Sequence, residues 1–95
     1  MKRLVLVSAL AAAACATEPP PAAELASARA AVAQAGAGAQ LAPSELSAAR
    51  TKLERAQDAA ARGDNRQARR LAEAAEVDAR LAWAMSENER LRPSQ

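Results

Sequence analysis

Cys15 is the one thiol in a chain of 95 residues, and it stands where an apolar run ends in Ala12-Ala13-Ala14. A thiolate is the strongest nucleophile among the side chains, so the chemistry on offer is covalent attachment to an activated group. A lone cysteine cannot close an internal disulfide. The second chemically capable set is Arg62, Arg66, Arg69 and Arg70, four guanidinium groups within nine positions. Beside a helix N-terminus, such a cluster suits a phosphate or a lipid headgroup. The alternative is an ordinary solvated helix end with local ion pairs. Little else is available. The chain has no His, hence no imidazole base and no His metal ligand. Glu73 with Glu76, and Glu87 with Glu89, are paired carboxylates without a companion nucleophile. Asp78 lies near an apolar side, where a hydrogen bond to a Ser or Gln of another helix fits better than acid–base work. The reading is of a non-enzyme with no metal site and no cofactor. A single aromatic, Trp83, gives no stacking platform, which excludes nucleic acid as a partner.

The elements that position Cys15 form a leader. Lys2 and Arg3 make a charged start, and Leu4 to Ala14 make an apolar core. That core falls short of the roughly 20 apolar residues a permanent membrane span needs. Residues 1–14 therefore read as an export signal. The run into Cys15 resembles the lipobox of bacterial lipoproteins, in which a Leu-like residue and two small residues precede the invariant Cys. Ala13 and Ala14 match that pattern and Ala12 departs from it. The resemblance implies diacylglycerol and an N-acyl chain on Cys15, and the non-Asp Ala16 implies the periplasmic leaflet of the outer membrane. The alternative is a plain secretory signal cut after Ala14 or Ala16, with Cys15 incidental.

Residues 15–21 form a tether whose three prolines, Pro19 to Pro21, favour an extended spacer. The spacing of Leu25, Ala28, Val32 and Ala35 then predicts a helix over 22–35 that the glycines of Gly36-Ala37-Gly38 terminate. A second helix is expected from near Pro43, a residue suited to a first turn, to Arg62, with Leu46, Ala49, Leu53, Ala56 and Ala60 on one face. Gly63 closes it. Asp64 caps a third helix, with Gln67 completing a capping box, that runs to about Leu91 before Pro93. Residues 92–95 read as a disordered tail. The third helix carries a small-residue stripe, Ala68, Ala72, Ala75, Ala79 and Ala82, and sets Val77, Leu81 and Met85 on another side. The fold expected for 22–91 is all-α, a short three-helix up-down-up bundle whose second and third helices form an antiparallel hairpin. Up-down-up order brings the N-terminus and the Gly63 turn to one end.

An internal repeat complicates the picture. Glu24-Leu25-x-x-Ala28-Arg29-x-x-Val32 returns as Glu45-Leu46-x-x-Ala49-Arg50-x-x-Leu53, an offset of 21 or three heptads. A continuous alanine-zipper rod, oligomeric like the major murein lipoprotein, is therefore the alternative. Two glycines at about 1 kcal/mol each and an interior proline at about 3 kcal/mol stand against it.

Ala42-Pro43-Ser44-Glu45-Leu46, Lys52-Leu53, Gly63-Asp64, Ala68, Leu71-Ala72 and Asp78-Ala79 together resemble a family of alanine-rich bacterial lipoproteins catalogued as a domain of unknown function. Members occur alone or fused ahead of an OmpA-like domain. The resemblance implies a structural or adaptor role in the envelope, with an OmpA-like protein as one candidate partner. Trp83, Met85 and Leu91 are candidate contacts for a helical partner or for self-association. Trp83 packing over the 36–41 connection is the alternative. Only 11 sizeable apolar side chains follow Cys15, a marginal core that added burial would strengthen. Lys2 and Arg3 belong to the leader, so from Cys15 onward 11 basic residues balance 11 acidic ones. Attraction to anions must then come from the arginine cluster.

Overall fold

The computed structural model of the protein describes residues 18–93; the leader, Cys15, the first tether residues and Ser94–Gln95 lie outside them. Three helices follow one another: α1 (Ala22–Gly38), α2 (Pro43–Ala61) and α3 (Asn65–Arg90). The described residues contain no strand. α2 and α3 form the most closely packed pair, α1 packs mainly on α3, and α1 and α2 touch less. Ser27 reaches Glu76 and Glu24 reaches Arg69, so α1 runs parallel to α3. Lys52 meets Asp78 across the α2–α3 hairpin. The order is up-down-up, with α3 as the spine.

Small side chains make this packing possible. Apart from Leu25, Val32 and Leu46, the buried apolar residues are all alanines. Methyl groups let helix axes approach closely, and close approach compensates in contact what each side chain lacks in area. One cluster joins Val32, Ala35, Leu46, Ala49, Ala79 and Ala82 at the α1–α2 turn end. The other joins Leu25, Ala28, Ala56, Ala72 and Ala75 toward the Gly63 end. Leu53 packs against both. The 21-residue repeat becomes structural equivalence, since Leu25 and Leu46 are buried at matching positions, as are Ala28 and Ala49.

Gly63 ends α2 with φ +79°, and the N–H groups of Gly63 and Asp64 donate to Ala60 and Ala59 in a Schellman closure. The Asp64 carboxylate then accepts from the Gln67 N–H at 3.4 Å, one half of a capping box.

The glycines of α1 behave differently from expectation. The helix does not stop at Ala35 but continues through Gly38, and neither Gly36 nor Gly38 adopts positive φ. Its last carbonyls find other partners. Ala39 N–H donates to Ala35 O, the Gln40 side chain donates to Gly36 O, and the Arg90 guanidinium donates to Gly38 O. A cation at a helix C-terminus also suits the helix dipole. Gly38 is small for a steric reason, because the Trp83 ring lies on it. A Cβ built there would stand 2.9 Å from Trp83 Cη2 and 3.2 Å from Cε3. The continuous rod is likewise corrected: residues 39–42 reverse the chain, and Pro43 opens a new helix.

Candidate functional site

The N-terminal segment and the Gly63 turn meet at one end of the bundle, and Glu18 joins them. Its carboxylate takes the Arg69 guanidinium at 2.5 Å and Arg66 at 3.5 Å, while its carbonyl accepts from the Asn65 side chain at 3.0 Å. Arg69 also reaches Glu24 of α1 at 3.3 Å. The hydrogen bond that Arg69 donates to the Glu18 carboxylate raises the Arg69 pKa further, against the lowering effect of desolvation, with Glu18, Glu24 and Glu73 adding attraction. Pro21, the residue that opens α1, is fully buried.

The four arginines therefore do not converge on one anion. Arg69 turns inward to bind the tether and α1, and Arg66 shares Glu18. Arg62 and Arg70 are exposed and have no ion pair among the described residues. Glu18 escaped the sequence reading because it belongs to a segment that looked like plain spacer. The available signal was an acidic residue just after Cys15 in a chain whose cations cluster at one turn.

At the other end, Trp83 is half-buried against Gly38, which is the packing alternative weighed above. Met85 and Leu91 stay exposed, at 41% and 80%, and α3 also exposes Val77 and Leu81. Ser86 continues the alanine stripe and is fully buried, its hydroxyl without a partner. The only lysine after the leader, Lys52, holds Asp78 at 2.7 Å across the hairpin. The expected Ser or Gln partner for Asp78 is thus replaced by an ion pair. A groove of about 90 Å³ between α1 and α3 is lined by Ala31, Gln34, Ala35, Ala79, Arg80 and Trp83. Small-molecule sites typically run to roughly 300–1,000 Å³, so it holds a few waters at most. The described residues contain no cluster of three His, Cys, Asp or Glu able to hold a metal. None of the described helices is long and apolar enough to cross a membrane.

The described residues define a class, the small all-α bundle with an alanine core, an N-terminal strap and exposed helix faces. The model of the family described as Domain of unknown function (DUF4398) matches residues 23–93, and the chain belongs to that family. Comparison with curated proteins and with solved structures gave no match.

Proposed function

We propose that the protein is a lipid-anchored, non-catalytic structural or adaptor module of the cell envelope. Acyl chains on Cys15 hold it on the periplasmic leaflet of the outer membrane, where an OmpA-like protein is one candidate partner. The observation that carries this reading is Glu18 strapped to Arg69, Arg66 and Asn65. Only Ala16 and Thr17 separate Cys15 from Glu18, a reach of at most about 11 Å. Acyl chains entering a bilayer would thus draw the α2–α3 turn to the headgroup layer. Arg62 and Arg70, exposed at that turn, are then the residues suited to anionic headgroups. Strapping the tether also removes the slack that three prolines leave, so the bundle stands on the membrane in a set orientation.

The test is intact mass of the full chain extracted from membranes, beside Cys15→Ala. The expected mass is that of the chain from Cys15 carrying glyceryl and three acyl groups, and the variant should leave the membrane fraction. A mature chain lacking acyl mass, or a C15A variant that stays membrane-bound, would refute the anchor.

A further inference from the structure

α3 buries one stripe, from Ala68 to Ser86, against α1 and α2. A second stripe runs along its opposite side: Ala74, Val77, Leu81, Ala84, Asn88 and Leu91, spaced 3-4-3-4-3. That is heptad spacing, with Ala74, Leu81 and Asn88 at a and Val77, Ala84 and Leu91 at d. Its direction follows from its neighbours. Glu76 accepts from Ser27 of α1 at 2.8 Å, and Asp78 pairs with Lys52 of α2 at 2.7 Å. Val77, between them, points away from both helices. Val77 is 64% exposed, Leu81 49% and Leu91 80%. A solvated helix face needs no such regularity. The stripe spans about 26 Å at 1.5 Å per residue, enough for a seam of paired layers.

The geometry points to a second copy of this chain as the occupant, its α3 parallel and in register with the first. In that pairing every seam residue meets itself. Val77, Leu81 and Leu91 form apolar layers, and the Asn88 amide pairs with Asn88 of the second copy, the self-complementary use of a polar a residue that sets register. An antiparallel copy overlapping the whole seam would bury Asn88 against Val77. Glu87 at g, paired with Arg90 within its own chain, faces Arg92 at the e position of the second copy, paired there with Glu89, so an exchange of partners joins the two chains on both sides. Glu73 faces Asp78 of the second copy, whose charge Lys52 already neutralises. Arg70, the next d position, closes the seam with like charges at the tether end. The seam stands independently of the lipid anchor; the anchor reading adds only that parallel copies present both tethers to one membrane.

Full-length protein in detergent micelles, with the detergent mass subtracted, gives the association state by sedimentation equilibrium. The expected state is a dimer at micromolar concentration. Val77→Lys with Leu81→Lys should raise its dissociation constant more than tenfold while far-UV circular dichroism stays unchanged. Ala74→Cys should form a disulfide-linked dimer under mild oxidation, beyond any formed by the wild type, because parallel register brings positions 74 together. A monomeric wild type, or a dimer indifferent to the two lysines, overturns the proposal. A dimer in which position 74 does not cross-link overturns the parallel copy. Intact mass taken on the same samples reads Cys15 acylation separately, so loss of the seam and loss of the anchor give different results.

Discussion

Replacing Gly38 with alanine tests the packing of Trp83 directly. At a free position near a helix end, Gly→Ala stabilises by up to about 1 kcal/mol. Here the new Cβ would fall 2.9 Å from Trp83 Cη2 and closer still to Cζ3. The ring must swing off α1 or the helices must part, and overpacking of this kind costs about 1–3 kcal/mol. The net expectation is a loss of about 1–2 kcal/mol. Each kcal/mol lowers the melting temperature of a domain this size by about 4–8 °C. Urea titration followed by circular dichroism measures the difference, and Trp83 fluorescence should shift to the red as the ring is displaced. The same substitution in a Trp83→Ala background should change sign and stabilise by about 0.5–1 kcal/mol. If G38A stabilises equally in both backgrounds, the ring does not rest on Gly38 and the account of the helix-one glycines fails.

Other perturbations have equally definite outcomes. Ser86→Ala should leave stability unchanged or raise it by up to about 1 kcal/mol in thermal melts, because the buried hydroxyl has no partner to lose. Lys52→Ala should cost about 1–2 kcal/mol by urea titration, since the buried Asp78 oxygen loses its cation, and Asp78→Asn should cost less. Glu18→Ala should leave the melting temperature nearly constant while hydrogen exchange and protease cleavage before Ala22 accelerate. Raised salt should mimic that substitution in the wild type. Gly36→Ala should be neutral or stabilising in melts, because its Cβ would meet only the flexible tip of Arg50 at 3.2 Å.

Helix faces were legible before the fold, and helix ends less so. Leu25, Ala28, Val32 and Ala35 repeat at helical spacing, and all four are buried, because burial of a face follows from periodicity alone. Gly63 was also readable, since a glycine followed by Asp and Gln matches a closure and a cap within five residues. Gly36 and Gly38 misled, because neither ends α1, and the role of Gly38 depends on Trp83 and Arg90, over forty positions away. The candidate site divides along the same line. Locating the arginines at one turn required only helix order, but which of them remain free depends on Glu18, far off in sequence. The position of Asp78 beside an apolar face is readable from spacing, but its partner is not a Ser or Gln, because only the hairpin register brings Lys52 to it. The outward seam of α3 was hidden for another reason. Spacing alone sets Ala68, Ala72, Ala75, Ala79 and Ala82 on one face, and all five are buried, but Ala74 and Ala84 are the same residue type, so nothing marks them as one row with Val77 and Leu81.

Leu53 gives the bundle a property its alanines could not. A column of methyl contacts is a ladder of nearly equal, weak rungs, and such a ladder can unzip from either end. Leu53 reaches into both clusters at once, so freeing one half removes a wall of the other. Its two methyl groups are therefore natural reporters of whole-molecule integrity, visible in a single methyl spectrum. Fraying at the Trp83 end and opening at the arginine end should register in the same pair of signals.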